Sequence, residues 1–190
     1  MSALQSSKLL GELFATVDEE RRLTVLHIGP ALSDTVAFFS HYRCKLHFVD
    51  ILGELPIVAD ETSGDTAPLF FSHQMAFPVA TRFDICLFWD LFNYLQREEI
   101  TAFIDTLRPF LHPRTQAHGF ALHNTRTPQR DTLYGISTSD TLSLRPRDPG
   151  LPCYAPHPQS RLKSLLSCFH FDRSVLLTDS RLEILLSARV

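Results

Sequence analysis

This sequence lacks several of the patterns by which an unfamiliar chain reveals its chemistry. Its four cysteines (Cys44, Cys86, Cys153 and Cys168) form no C-x-x-C pair, and no H-E-x-x-H pattern occurs among its nine histidines. Zinc sites and disulfide frameworks depend on spacings of this kind. We therefore expect free structural cysteines and no metal site.

Long apolar runs and an excess of positive charge are also missing. No segment reaches the roughly 18 apolar residues of a membrane-spanning helix, and the N-terminal segment has no apolar core followed by a small-residue cleavage site. The chain has 18 Lys and Arg against 21 Asp and Glu, a net charge of -3. Because nucleic-acid binders need a basic face to displace counterions from phosphates, we predict a cytoplasmic protein with no membrane span and no general nucleic-acid binding.

Three common enzyme motifs are absent as well. G-x-S-x-G would indicate a hydrolase, and G-x-x-x-x-G-K-[ST] would indicate a phosphoryl-transfer protein. Gly29 could begin a G-x-G-x-x-G pattern, but Ala31 and Asp34 stand where its second and third glycines would be. A nicotinamide-dependent enzyme therefore stays an alternative with little support.

The composition that remains is typical of one globular domain. A chain of 190 residues that is 44% hydrophobic and 21% charged can bury a single core, so we predict one domain over residues 1–190. Residues 125–158 differ from the rest because they are rich in Pro, Thr, Ser, Arg and Asp. They contain the alternating stretch TLYGISTSDTLSLRP, which predicts an inserted hairpin.

Residues 22–52 carry the most informative pattern. A buried strand is predicted over 23–28, and Gly29 then permits a tight turn. A second strand is predicted over 46–49 and ends at Asp50. Since ligands of open parallel sheets bind where the carboxyl ends of the strands meet, the turn and the acid are predicted to lie at one ligand-binding edge.

Elsewhere, hydrophobic periodicity predicts further helices and strands. Helices are predicted over 6–20, after a cap at Ser33 or Asp34, over 97–111 and over 160–169. Strands are predicted over 83–89, 117–124, 171–179 and 181–190, with 53–68 mostly loop and 68–77 a third strand or an irregular edge piece. The last two strands are joined by so short a turn that they must be antiparallel.

Taken in order, five segments resemble the Rossmann-like S-adenosylmethionine-dependent methyltransferases over nearly the whole chain. The segments are VLHIGPALSD, FVDIL, FDICLFWDLFNYL, LRPFLHPRTQAHGFAL and the closing pair of strands. This resemblance implies a three-layer α/β fold whose mostly parallel sheet includes an antiparallel C-terminal strand. It also implies that the protein binds S-adenosylmethionine.

The resemblance further implies roles for individual residues. The backbone of Gly29, with Pro30 and Ala31, would approach the methionine part of the cofactor, and Asp50 would accept hydrogen bonds from the ribose hydroxyls. The other implied contacts are Ile51 beside the adenine, Phe88, Trp89 and Asp90 beside the methyl donor, Asn93 and Tyr94 on the acceptor side, and Asp65 as an adenine contact.

The chain departs from the family pattern around the first turn. His27 stands where an acid is common, and Ala31 and Ser33 stand where further glycines are usual. Two hypotheses therefore stay open. The protein is either a methyltransferase with a small-molecule or protein acceptor, or a non-catalytic module that binds a protein partner through residues 125–158.

Several of these residues also have a structural interpretation. Asp50 could cap a loop at the end of its strand, and Trp89 could belong to the core. Asn93 and Tyr94 could begin the next helix instead of contacting an acceptor.

Overall fold

The computed structural model describes residues 3–18, 20–58 and 66–190, which form a mixed α/β fold. The strands are β1 (Ala3–Ser6), β2 (Leu23–Ile28), β3 (Cys44–Val49), β4 (Ile85–Trp89), β5 (Gln116–Leu122), β6 (Thr132–Thr138), β7 (Thr141–Pro146), β8 (Phe169–Leu176) and β9 (Arg181–Ala188). The α-helices are α1 (Leu10–Ala15), α2 (Ser33–Phe39), α3 (Thr66–Gln74), α4 (Arg97–Leu107) and α5 (Gln159–Leu165).

Two sheets organise these strands. The larger sheet has six strands in the order β3-β2-β4-β5-β9-β8, and the smaller one has the order β1-β7-β6. Strands β2 to β5 pair in parallel, whereas β9 is antiparallel to both β5 and β8. The prediction that the last two strands are antiparallel is confirmed. In the smaller sheet, β6 and β7 form an antiparallel hairpin to which β1 adds at the free edge of β7.

Both faces of the larger sheet are buried at its centre. Along β4, the side chains of Ile85, Leu87 and Trp89 join one apolar cluster, while Cys86 and Phe88 join another. This alternation follows from the pleat of a strand, whose successive side chains point to opposite faces. The first cluster includes residues of α1, α2 and the β6–β7 hairpin, and the second includes residues of α3, α4 and α5. A continuous apolar run suits a central strand covered in this way.

One predicted strand is wrong, because residues within 68–77 form helix α3. Its apolar run does not alternate between two sheet faces. Phe71 and Met75, four residues apart, are both buried, and the ring of Phe71 packs edge-on against Phe103 of α4 with centroids 5.5 Å apart. A spacing of four places two side chains on one face of a helix. The neighbouring α4 therefore determines the conformation of this segment.

Two helix predictions also need correction. The helix predicted over 6–20 is limited to α1, because β1 precedes it and pairs with β7. Helix α2 begins with Leu32 at its N-cap position and has no capping side chain, so neither Ser33 nor Asp34 caps it. Asp34 binds the hairpin instead. Among the described residues, none of the helices has the length and apolar character needed to cross a membrane.

Candidate functional site

The glycine turn and the acid lie side by side at the carboxyl edge of the larger sheet. Strands β2 and β3 pair in register, with Ile28 opposite Val49, and the backbone N–H of Gly29 donates to the Val49 carbonyl at 2.8 Å. Gly29 has a φ of 132°, a backbone conformation that residues with a Cβ rarely adopt. Gly29 and Asp50 therefore begin adjacent loops, and the turn needs its glycine for backbone geometry.

The carboxylate of Asp50 has two partners. Its Oδ1 accepts from the backbone N–H of Gly53 at 3.2 Å, which caps a short 3-10 helix over Ile51–Glu54. The same oxygen accepts from Nη2 of Arg147 at 2.9 Å. Arg147 follows directly on β7, and its side chain is only 11% exposed. Asp50 is thus both a loop cap and the anchor of a hairpin arginine, while Ile51 is fully buried in the core.

Trp89 ends β4 against the hairpin. Its φ is 50°, and its ring stacks on Tyr134 of β6 with centroids 5.4 Å apart and planes 9° from parallel. The indole Nε1–H donates to Nε2 of His27 at 3.2 Å. Burial lowers the pKa of His27 to about 4, so the imidazole is neutral near pH 7 and can accept this hydrogen bond. Phe88 faces the opposite side of the sheet and packs against Phe103.

Asp90 is a buried acid that the hairpin also reaches. Its Oδ2 accepts from the Tyr134 hydroxyl, whose oxygen accepts in turn from Nη1 of Arg181 at 2.8 Å. Burial raises the pKa of Asp90 to about 6, although the Tyr134 hydrogen bond and the charge of Arg181 oppose this change. Its Oδ1 is buried and has no hydrogen-bond partner among the described residues. Asp90 can therefore take up or release a proton near neutral pH.

Asn93 and Tyr94 are buried and fasten neighbouring segments. The side-chain amide of Asn93 donates to the Phe120 carbonyl at 3.2 Å, and the backbone carbonyl of Asn93 accepts from the backbone N–H of Ala155 at 2.9 Å. The Tyr94 hydroxyl donates to the Arg130 carbonyl at 2.6 Å. The backbone of Asn93 and the side chain of Tyr94 therefore hold parts of 125–158, whereas the Asn93 side chain bonds to β5. Asp65 lies outside the residues that the structure describes.

Segment 125–158 thus covers the carboxyl edge at several points. Besides the contacts of Tyr134 and Arg147, the carboxylate of Asp34 in α2 accepts from the hydroxyl of Ser143 at 2.7 Å and from Nη2 of Arg145 at 2.9 Å. The predicted residues Pro30 and Ala31 lie in the turn that follows Gly29, and Ala31 is exposed. The structure brings Gly29, Asp50, Trp89 and Asp90 to the carboxyl edge of the larger sheet. The Phe88 side chain lies on the sheet face opposite to that of Trp89.

Sequence reasoning missed the residues that complete this edge. Arg147 contacts Asp50 across 97 positions of the chain, and Tyr134 contacts Asp90 across 44. The pattern of the hairpin was visible, but nothing in its sequence indicates which surface it covers. The one available signal was the pair of arginines in RPRDP, directly after the alternating stretch.

Comparison with known proteins relates the chain to others through its fold. No protein-family model matches the sequence, and no curated protein sequence matches it either. Among solved structures, a presumed methyltransferase from Thermobifida fusca YX superposes with a TM-score of 0.57 at 13% identity, over 96% of this chain and 80% of that one. The 1,6-didemethyltoxoflavin-N1-methyltransferase of Burkholderia thailandensis, crystallised with 1,6-didemethyltoxoflavin and S-adenosylhomocysteine, gives 0.50 at 15% identity, over 96% and 78%.

A longer structural neighbour shows the same similarity over part of its length. The pyocyanin biosynthetic protein PhzM superposes with a TM-score of 0.51 at 12% identity, and the matched region is 95% of this chain but only 54% of PhzM. The chain thus spans about half the length of that protein. Identities this low establish a shared fold and nothing about the reaction. The resemblance to a methyltransferase fold is confirmed.

Proposed function

We propose that this chain is an S-adenosylmethionine-dependent methyltransferase that acts on a small-molecule acceptor. The observation that carries the proposal is the position of Gly29, with its positive φ, beside Asp50 at the carboxyl edge of parallel strands. We further propose that residues 1–190 form one domain of the Rossmann-like three-layer type, into which the hairpin of 125–158 is inserted. The small-molecule acceptor is favoured because the Burkholderia neighbour is an N-methyltransferase of such a compound.

The residues at this edge fit the cofactor on one condition. Gly29, which has no Cβ, suits the methionine part, and the Asp50 carboxylate suits the ribose hydroxyls. Ile51 is fully buried in the core and offers no side-chain surface to the adenine. Arg147 now donates to the same carboxylate oxygen that a ribose hydroxyl would reach. The condition is therefore that Arg147 leaves Asp50 when the cofactor binds.

The chemistry divides between cofactor and protein. S-adenosylmethionine supplies an electrophilic methyl group. The protein excludes water from the edge by means of Trp89 and Tyr134, which stack against each other while buried. Asp90 Oδ1, buried and without a partner among the described residues, is the atom that would hold the proton or hydrogen bond of the acceptor. Methyl transfer of this kind depends mainly on positioning, which can supply several powers of ten in rate.

Calorimetry with S-adenosylmethionine and S-adenosylhomocysteine tests the proposal. We expect binding in the micromolar range, weakened about tenfold or more by Asp50→Ala, because a hydrogen bond to a charged group contributes about 1.5–3 kcal/mol. The affinity of Asp50→Asn should lie between those of the wild type and Asp50→Ala, since the amide oxygen of asparagine can still cap the 3-10 helix. The matched control is Asp105→Ala, an exposed acid of α4, which should bind like the wild type. If neither the folded wild type nor folded Arg147→Ala binds either ligand, the cofactor site is refuted.

A second candidate function rests on the cover itself. Tyr134, Arg145 and Arg147 each bind a residue of the carboxyl edge, as expected if the pocket has been lost and 125–158 presents a surface to a protein partner. Cofactor binding by the Arg147→Ala variant distinguishes the methyltransferase from the non-catalytic module. A non-catalytic module should bind no cofactor even when Arg147→Ala removes the contact with Asp50.

A further inference from the structure

A cavity lies at the edge of the larger sheet opposite to Gly29 and Asp50, at the amino ends of its strands. It has a volume of about 730 Å³. Its positively charged lining residues, here called the basic cleft, are Arg21, Arg22, Lys45, Arg82 and Arg114. Arg21 and Arg22 precede β2, Lys45 lies near the start of β3, and Arg114 lies just before β5. The cleft is therefore separated from Gly29 and Asp50 by the length of the strands.

The charge of this cleft is opposite to that of the chain. The lining contains five Lys or Arg side chains and a single acid, Asp84, whereas the whole chain carries a net charge of -3. Like charges around one concave surface repel each other, and their potentials add inside the cavity. Such an arrangement attracts an anion to the cleft.

The single acid does not neutralise the cleft, because one carboxylate faces five cations and is already engaged by its neighbours. Asp84 accepts from Arg21 and from the backbone N–H of Thr24, the latter at 2.8 Å. It also contacts Nε2 of His112 at 3.2 Å. Asp84 thus ties together the segments before β2, β4 and β5, and it compensates for only one of the five cations.

The other cations are available to a ligand. Among the described residues, the side chains of Arg22, Lys45 and Arg114 have no ion-pair or hydrogen-bond partner, and all three residues are exposed. The guanidinium of Arg82 is held in place because its Nη1 donates to the carbonyls of Val79 at 2.9 Å and Thr81 at 2.7 Å. Guanidinium groups bind phosphate through paired N–H donors. The cleft therefore combines one fixed guanidinium with three unpaired cations.

We propose that the basic cleft binds a small ligand that carries a polyphosphate group, such as a nucleoside triphosphate or inorganic triphosphate. Four available cations match the three to four negative charges of such a group, and the volume lies within the roughly 300–1,000 Å³ of small-molecule pockets. A long nucleic acid is disfavoured because the net charge of the chain is -3, so strands extending beyond the cleft would meet a surface poorer in positive charge. The proposal is independent of the methyltransferase function.

Titration calorimetry at low ionic strength with sodium triphosphate, ATP and adenosine tests this proposal. We expect triphosphate and ATP to bind and adenosine not to compete with triphosphate, because adenosine carries no phosphate. Equal affinities for triphosphate and ATP would show that the cleft recognises only the polyphosphate group. Tighter binding of ATP would show that it recognises a nucleotide. The double variant Arg22→Glu with Arg114→Glu should weaken binding about a hundredfold, because each exchange replaces an attraction with a repulsion.

A matched control distinguishes binding in the cleft from an effect of the net charge of the protein. Arg97→Glu with Arg161→Glu changes the net charge equally at two exposed arginines outside the cleft and should leave triphosphate affinity within about twofold of the wild type. Circular dichroism should show both double variants folded. The proposal is overturned if triphosphate does not bind, if the control loses as much affinity as the cleft variant, or if a single-stranded oligonucleotide binds more tightly than triphosphate.

Discussion

Replacing Glu183 with alanine should lower the free energy of unfolding by about 3–5 kcal/mol, because each buried donor left without an acceptor costs about 1–3 kcal/mol. The Glu183 side chain is fully buried and accepts from the Ser7 hydroxyl, from the backbone N–H groups of Lys8 and Leu9, and from Nε2 of His118 at 2.8 Å. These contacts join β1, α1 and β5 to β9. Alanine would remove the acceptor of all four donors, and the hydrogen bonds from Ser7, Leu9 and His118 are buried.

Glu183 should also make the free energy of unfolding depend on pH. Burial opposes ionisation of Glu183, but the hydrogen bonds from His118, Ser7 and Lys8 outweigh it and lower the pKa to about 2, well below the usual value of a glutamate. A carboxyl with a lowered folded-state pKa stabilises the fold above its unfolded pKa. This contribution should be complete above about pH 4.5 and be lost as the pH falls toward 2.

Urea unfolding at pH 7 and at pH 3 measures both effects. Glu183→Gln keeps the shape and one acceptor oxygen, so it should cost less than Glu183→Ala at pH 7, and its difference from the wild type should shrink at pH 3. Glu12→Ala is the control, because Glu12 forms a half-exposed ion pair with Arg173 that should contribute less than about 1 kcal/mol. A Glu183→Ala protein as stable as the control would contradict the structural role given to this network.

The parts of the fold that could be predicted depend on local patterns. Strand β2, the turn at Gly29 and the acid at Asp50 follow from an apolar run, a residue that tolerates positive φ and the place where the next apolar run ends. Helix α3 could not be predicted in the same way. Its apolar run fits a strand and a helix equally well, and the contact between Phe71 and Phe103 decides between them.

The part of the candidate site that could be predicted from local patterns is the one at the ends of β2 and β3. Gly29 and Asp50 are 21 positions apart and become neighbours through one crossover, which the order of elements already implies. The cover depends on how a hairpin more than 80 positions further along the chain folds back on that edge. Periodicity predicts that a hairpin exists, but the packing of Tyr134 on Trp89 is a tertiary contact with no local signal.

Replacing Arg147 with alanine should tighten the binding of S-adenosylmethionine about tenfold, which corresponds to about 1.4 kcal/mol. The arginine donates to Asp50 Oδ1 at 2.9 Å from a side chain that is 11% exposed, and the cofactor has to break this contact before its ribose can bind the acid. A ligand that binds only the open form has its apparent affinity reduced by the fraction of protein that is open. Removing the arginine raises that fraction, and calorimetry measures the result.

Arg145→Ala provides the matched control for this prediction. Arg145 lies two residues earlier on the same hairpin and forms a similar ion pair, but with Asp34 of α2, so its loss loosens the hairpin without freeing Asp50. The affinity of the Arg145→Ala variant for the cofactor should stay within about twofold of the wild type. If both variants bind more tightly, the hairpin as a whole limits binding. If Arg147→Ala binds more weakly, Arg147 holds the cofactor and does not compete with it. If neither folded variant binds, the edge is permanently closed and the protein-binding module is the better account of this chain.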